Sequence, residues 1–565
     1  MPWKSRWTTE IPVCSLSTYL FQSPDGPLPD KPVLLDAAKP EYHLTHHTYR
    51  EWSKRLAAGL LANGFQPGDR LLLYSANSIF FPVIIQGTLM AGGIFTGANP
   101  NYVARELAYQ LQDSGASILI TGESSLPTAL EAASSISFPK DKISIMGSGH
   151  EVFESRCHPT NNIQHWTTLL ASPEAGKTHR WEDLNTLEQT HRTAVLNYSS
   201  GTTGLPKGVE ISHRNYVSNC AQTAFTARLS PTYDSYLSRA VGLGFLPMYH
   251  AYGQTRHGVS NVLLGIPTYI MQKFEFGRML EYVEKYRVTA LNLVPPVAVA
   301  LTKREEVGRF DLSSVEQAMV GAAPLDPATV KDFERVFGWR VVLKQGWGMT
   351  EITCSACGWD PRNGTEASQV GELNANIEAM IVDDAGLEVG EGERGELLVR
   401  GPNVMKGYWR RPEATRETVT EDGWLRTGDV AVKHPEGTLS IVDRKKELIK
   451  VKGNQVAPAE LEGVLLEHPG VVDAAVIVML TIAVILRRGE ELPRAYVVIS
   501  ESQPGKPEEI ASWMSQRVAP HKRLAGGIVV VDEVPKNPSG KILRKILRER
   551  AKAEVGDGAR KESRL

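Results

Sequence analysis

The segment YSSGTTGLPKG, Tyr198 to Gly208, decides how this chain is read. Apolar Ala194, Val195 and Leu196 precede it, which predicts a strand running into a loop. Two serines, two threonines and three glycines fill its eleven positions, and Lys207 stands near its end. Glycines let the backbone bend until successive N–H groups converge on an anion, hydroxyls add donors, and a lysine adds charge. The pattern predicts a phosphate-binding loop. It is not a Walker A loop, because Gly208 rather than Ser or Thr follows Lys207.

Outward from that loop, short apolar runs alternate with helical patterns. Thr48 to Leu61 carries apolar residues at helical spacing, Arg70 to Tyr74 (RLLLY) reads as a buried strand, Pro82 to Met90 as a helix with proline in its first turn, and Ala116 to Thr121 as a further strand. Such alternation predicts a mainly parallel sheet covered on both faces. Near Asp443 the character changes to a charged stretch, DRKKELIKVKGNQV, followed by a helix from about Pro458 and a shorter α+β unit. The predicted organisation is a large α/β domain over 1–443 with stacked sheets and covering helices, a small mobile α+β lid domain over 444–550, and a polar tail over 551–565.

Composition limits the alternatives. The 565 residues are 42% hydrophobic with a formal net charge of -2, which supports a large core and argues against a nucleic-acid binder. Five cysteines at irregular spacing imply no disulfide scaffold; Cys354 and Cys357 form a CxxC that reads as packed residues rather than a redox pair or half a zinc site. The opening residues, MPWKSRW, lack the apolar stretch of a secretory leader. The apolar run Ala474 to Leu486 has 13 residues, short of the roughly 20 that span a bilayer, so a buried strand is expected and no membrane span. Ser563, Arg564 and Leu565 form SRL, a variant of the peroxisomal address SKL, which predicts recognition by the peroxisomal import receptor; otherwise the protein is expected in the cytoplasm.

Further strings follow in a fixed order: LPMYHAYG (Leu246 to Gly253), GAAPL (Gly321 to Leu325), QGWGMTE (Gln345 to Glu351), GWLRTGD (Gly423 to Asp429), IVDRKKELIKVKGNQVAPAELE (Ile441 to Glu462) and PKNPSGKILR (Pro535 to Arg544). Together with the loop they resemble the adenylate-forming superfamily of acyl-CoA synthetases, firefly luciferase and peptide-synthetase adenylation domains, and within it the 4-coumarate–CoA ligases and similar fungal acyl-CoA ligases. The resemblance covers almost the whole chain. It implies an ATP-dependent acid–CoA ligase: a carboxylate attacks the α-phosphorus of ATP, pyrophosphate leaves, and the acyl-AMP passes to coenzyme A. Two anions must meet, so the site has to neutralise charge.

The resemblance also implies roles. Ser199, Ser200, Gly201, Thr202, Thr203, Gly204 and Lys207 would hold the phosphates, Thr350 the α-phosphate, and Glu351 a Mg²⁺ ion, since a carboxylate beside phosphates calls for an oxygen-seeking cation. Gln345, Gly346 and Trp347 would form the adenine wall, with Trp347 where the family has Tyr; Asp429 and Arg444 would hold the ribose. Lys541 would bridge acid and α-phosphate. Lys446 would sit at a hinge, Lys450 and Gln455 would grip AMP in the thioester-forming state, and Lys452, Gly453 and Lys273 would contact coenzyme A, whereas Lys445 reads as a solvated charge. His250, Tyr252, Arg256, Gly321, Ala322, Gly346 and Gly348 would bound the acyl pocket, the small residues leaving room for a flat or bulky acid. Arg256 either pairs with a polar substrate group or points away.

Substrates left open are aryl or phenylpropanoid-like acids, medium-chain acids and acids of secondary metabolism. Alternatives to the ligase are transfer of the acyl-AMP to a carrier protein in trans, a luciferase-like oxygenase and a catalytically silent binding relative; intact Lys207, Glu351, Asp429 and Lys541 argue against the last. The resemblance breaks at Ile477–Arg488, where an apolar run replaces the family's polar loop, either as a genuine strand extension of the lid or as wrongly spliced residues.

Overall fold

The computed structural model describes residues 2–199, 205–451, 454–479, 491–500, 505–537 and 540–562. Among them, strands and helices alternate as the sequence predicts. The helix expected over Thr48 to Leu61 spans His46–Ala62, and it starts early because Thr45 and Thr48 form a reciprocal cap. The strand Arg70–Tyr74 is found as read, the expected Ala116 to Thr121 strand lies at Ile118–Gly122, and the proline-led helix is Phe81–Met90.

The large domain stacks three sheets. The first has eight strands in the order Gly407–Tyr408, Lys207–Ser212, Thr193–Ser199, Ile94–Ala98, Arg70–Tyr74, Ile118–Gly122, Ile143–Met146 and Gln164–His165. The six from Thr193–Ser199 onward are parallel; the two at the other edge are antiparallel. The second sheet has seven strands, from Leu343–Gln345 through Gln317–Val320, Ala290–Leu293, Gly242–Gly244, Thr268–Ile270 and Pro32–Asp36 to His43–Thr45, parallel except for the last pair. The third is antiparallel and includes Glu378–Val382, Arg394–Arg400, Leu425–Lys433 and Leu439–Arg444.

One core joins them: Leu71, Phe95 and Val195 of the first sheet, Leu34 and Ile270 of the second, and Ala379, Leu397 and Ala431 of the third belong to the same buried cluster. The helix Phe81–Met90 runs through it with every residue buried, which is why its sequence is apolar all round. Its one long polar side chain, Gln86, accepts a hydrogen bond from Ser17 at 2.8 Å. A Cβ at Gly87 would lie 2.7 Å from Leu56 of the neighbouring helix, so glycine sets how closely the two helices pack.

The small domain has its own core around a sheet of Val471–Met479, Leu492–Ile499 and Ile528–Val530, flanked by helices Pro458–Leu466 and Pro507–Ser515. Of the anomalous run Ile477–Arg488, residues 477–479 end a buried strand; 480–488 lie outside the described residues, as do Ser563, Arg564 and Leu565. The small domain docks on the helices Pro295–Lys303 and Pro327–Val336. The Lys303 ammonium reaches the Leu466 carbonyl at 3.2 Å, and glycines at 463 and 540 let the backbone close on Asp326 and Pro296. Among the described residues no helix is long and apolar enough to cross a membrane. Cys357 is packed in the main core, and all five cysteines are free thiols.

Candidate active site

The strands Thr193–Ser199 and Lys207–Ser212 pair antiparallel with Ser199 opposite Lys207, so the glycine-rich loop closes a hairpin at the edge of the first sheet. Ser200, Gly201, Thr202, Thr203 and Gly204 lie outside the described residues. The two flanking residues already show the site's polarity. Ser199 Oγ donates to Glu351 Oε1 at 3.0 Å, and the Tyr408 hydroxyl donates to the same oxygen at 3.0 Å. The Lys207 ammonium lies 4.8 Å from the centre of the Tyr408 ring, a cation–π contact. Burial, and then the neighbouring Glu351 carboxylate, push the Tyr408 phenol well up, so it stays a donor. Tyr408 is a site residue the sequence reading missed: GYW has no chemical signature, and only pairing of Tyr408 beside Val209 brings it to the loop.

Asp429 anchors a second group. It lies opposite Arg444 across two strands of the third sheet, and its Oδ1 forms an ion pair with Arg444 Nε at 2.9 Å. Its Oδ2 accepts from the Trp347 indole N–H at 2.8 Å. Both oxygens of a carboxylate that is 4% exposed are therefore oriented before any ligand arrives. Gln345 is a strut: its amide oxygen accepts from Leu325 N at 2.9 Å and its amide nitrogen donates to the Leu325 and Ala367 carbonyls at 2.9 and 2.5 Å, tying the GAAPL loop to the QGWGMTE strand. Gly346 N donates to the Val320 carbonyl at 2.9 Å, and Thr350 opens a one-turn helix, Thr350–Ile352, that carries Glu351.

Lys541 comes from the small domain. Its amide donates to Asn537 Oδ1 at 2.9 Å within a tight turn, and Gly540 adopts φ +81°, a left-handed conformation that favours glycine. The turn inserts against Pro296 and Val294 of the large domain. There burial, and then the Arg444 guanidinium, lower the Lys541 ammonium to about 8, while Asp429, Glu351 and Glu447 act in the opposite direction. His250, at the start of the helix Ala251–Thr255, is lowered to about 4 by burial and then by Lys541, so it is neutral near pH 7. The fold thus brings Arg444, Asp429, Glu351 and His250 each within electrostatic reach of Lys541, from segments nearly 300 residues apart in the chain.

The small residues expected around the acyl group differ in what a Cβ would meet at each. A Cβ at Gly321 would meet Tyr252 Cε1 and the Gly346 carbonyl at an ordinary 3.7 Å, and one at Gly346 would lie 3.6 Å from Met319 Sδ. At these two positions a Cβ would sit at ordinary contact distance. Gly348 differs: its Cβ would fall 1.8 Å from the Cys354 carbonyl. Backbone packing therefore demands glycine at 348 independently of any part it plays beside the acid. Ala322 is exposed with φ +77°, a conformation costly for a residue with a Cβ. Tyr252 and Arg256 lie one helical turn apart, and the Tyr252 hydroxyl and Arg256 Nε are buried without hydrogen-bond partners among the described residues.

The remaining expected residues are spread more widely. Lys273 and Lys446 are exposed. Lys445 is also exposed but ion-paired, to Asp384 at 3.0 Å and Glu396 at 3.1 Å. Of Lys450 and Gln455 the backbone alone is described; they face each other across the ladder of Ile449–Val451 and Asn454–Val456. Lys452 and Gly453 lie outside the described residues.

Fold and site define a two-domain enzyme in which a lid lysine enters a nucleotide-type cleft. The AMP-binding enzyme family matches residues 24–409, and the AMP-binding enzyme C-terminal domain matches 460–541. A 4-coumarate-CoA ligase of Narcissus pseudonarcissus is 36% identical, over 96% of this chain and 95% of its own. A phenylacetyl-CoA ligase of Aspergillus niger is 34% identical, over 96% and 97%. The ATP-bound crystal structure of MatB from Rhodopseudomonas palustris superposes with a TM-score of 0.79 at 26% identity, covering 96% of this chain and 99% of that one. This chain belongs to the AMP-binding enzyme family, as an ATP-dependent, AMP-forming acid–thiol ligase.

Proposed function

We propose that the protein converts an aryl or similarly compact carboxylic acid to its coenzyme A thioester in two steps at one site. The observation that carries this reading is the insertion of Lys541 from the small domain beside Asp429, Glu351 and His250 of the large one. In the first step an acid oxygen forms a bond to the α-phosphorus of ATP while the bond to pyrophosphate breaks, and pyrophosphate leaves with the electron pair. Lys541 stands between the two anions and offsets their repulsion. Ser199 and Lys207 flank the phosphate loop, Thr350 faces the α-phosphate, and Asp429, oriented by Trp347 and Arg444, accepts from the ribose hydroxyls.

Magnesium fits this donor set. Glu351 is a buried carboxylate whose Oε1 accepts from Ser199 and Tyr408, while its Oε2 has no hydrogen-bond partner among the described residues. One carboxylate with phosphate oxygens and water suits that ion better than an all-protein cage. Bound there, it would supply charge neutralisation on the phosphates.

In the second step the coenzyme A thiol loses its proton to water, its sulfur bonds to the acyl carbon as the bond to AMP breaks, and AMP leaves with the electron pair. Lys541 occupies the approach to that carbon, so the small domain turns about the segment near Lys446 to bring Lys450, Lys452, Gly453 and Gln455 round, with Lys273 as a further coenzyme A contact. Neutral His250 leaves the acyl carbon without a second cation beside it. The closest alternative, a carrier-protein thiol in place of coenzyme A, shares the first step. Mass spectrometry of products from a mixed acid panel with ATP, with and without coenzyme A, tests the reading: acyl-CoA and AMP are expected, and acyl-AMP that coenzyme A fails to discharge would refute it. We extend the proposal to a peroxisomal address at Ser563-Arg564-Leu565, for which a fluorescent fusion that stays diffuse would be the refutation.

A further inference from the structure

Arg256 has no counter-charge among the described residues. It opens a π-helical turn, Arg256–Ser260, that continues the helix Ala251–Thr255, and such turns break the regular backbone ladder to re-aim a side chain. The groups it faces are the phenols of Tyr252 and Tyr236, the Cys354 thiol and the imidazole of His257. All four are neutral near pH 7: burial drives both phenols and the thiol up, the thiol to about 11, and the imidazole down to about 3. No carboxylate pairs with Arg256 and no hydrogen bond satisfies it among the described residues, and its Nε is wholly enclosed. By contrast Arg444 is matched by Asp429 and Arg544 by Glu462.

A half-buried guanidinium with an enclosed, unpartnered Nε favours an acceptor, and a bidentate anion suits its fork best. Tyr252, one turn before Arg256, packs toward Gly321 on the border of the acyl pocket, and His250, two residues earlier, sits by Lys541. Six residues of helix at about 1.5 Å each separate the His250 and Arg256 backbones by roughly 9 Å along the axis. That is the span of a phenylpropenoic acid or of a straight chain of about eight carbons.

We propose that Arg256 is the counter-charge for a second carboxylate, so that the pocket selects acids bearing an anionic group at the end remote from the carboxyl that is activated. This rests on the ligase reading and narrows its substrate class from monoacids to diacids. Of the two alternatives left by the sequence it takes the substrate contact, because the Arg256 Nε is enclosed.

The test compares matched acids: 4-carboxycinnamate against cinnamate and suberate against octanoate, by kcat/KM for pyrophosphate release in the purified full-length enzyme. A hydrogen-bonded charge pair predicts that each diacid is preferred by roughly 10- to 100-fold. Arg256→Met, of similar length but apolar, is expected to collapse or invert that ratio, and Arg256→Lys to restore part of it. ATP affinity is measured alongside to show that the variants keep a folded nucleotide site. Equal rates for the pair, or a ratio unchanged by Arg256→Met, would overturn the proposal while leaving the ligase reading in place. Absence of turnover with every acid would overturn both.

Discussion

Lys541 should make acyl-AMP formation fail at alkaline pH well below the value expected of a lysine. Its ammonium is lowered from the usual 10.5 to about 8, a penalty on the charged form of roughly 3 kcal/mol at about 1.4 kcal/mol per pH unit. Burial and Arg444 impose that penalty before ATP arrives, and the negative phosphates relieve it, so the lysine is poised to bind them. The sign follows. Protonated Lys541 is the active form, a lowered value leaves it charged below pH 8, and the charge is lost as pH rises through that value. At pH 9 about one free enzyme molecule in ten retains the charge, and kcat/KM for adenylation should fall about tenfold per further unit. In the ATP complex the value rises, so kcat should hold to higher pH than kcat/KM. The assay is ATP–pyrophosphate exchange with acid but without coenzyme A, so that thiol ionisation plays no part. Lys541→Ala should lower exchange by roughly 10²- to 10³-fold, the worth of one preorganised charge at a transition state, while sparing thioester formation from supplied acyl-AMP. A kcat/KM flat to pH 9.5, or an Ala variant that adenylates normally, would refute the assignment.

Three further outcomes are expected. Trp347→Phe removes the 2.8 Å bond to Asp429 Oδ2; KM for ATP should rise about tenfold with little change for the acid, as steady-state kinetics would show. Gly348→Ala forces a Cβ to 1.8 Å from the Cys354 carbonyl and should destabilise the large domain by more than about 3 kcal/mol in urea unfolding, whereas Gly321→Ala should fold and discriminate against bulky acids. Gly540→Ala combines φ +81° with a Cβ 2.8 Å from Pro296 Cδ; it should displace the Lys541 turn, slowing adenylation at least tenfold in the exchange assay while thioester formation from acyl-AMP persists.

Legibility tracked how local the determining physics was. The strand Arg70–Tyr74 and the helix Phe81–Met90 were readable because periodicity and a first-turn proline act within a few residues. The packing demand at Gly348 was not legible, because a small residue in a pocket motif looks the same whether it spares room for substrate or for a carbonyl six positions away. Tyr408 was passed over because its part depends on a strand neighbour two hundred residues earlier in the chain.

The sequence by itself determined the chemistry available: residue types and spacing gave a hydroxyl-rich glycine loop with a lysine, and the ordered motifs, through the resemblance they carry, singled out one carboxylate for a metal, one for a sugar and a lysine on a glycine turn. Tertiary structure decided which of these charges meet. Docking of the small domain on Pro296 lowers Lys541 from an ordinary surface lysine to about 8, and a π-helical turn leaves Arg256 enclosed among neutral groups. Both depend on burial and on neighbours distant in the chain, and those are fixed only when the sheets and the lid have packed.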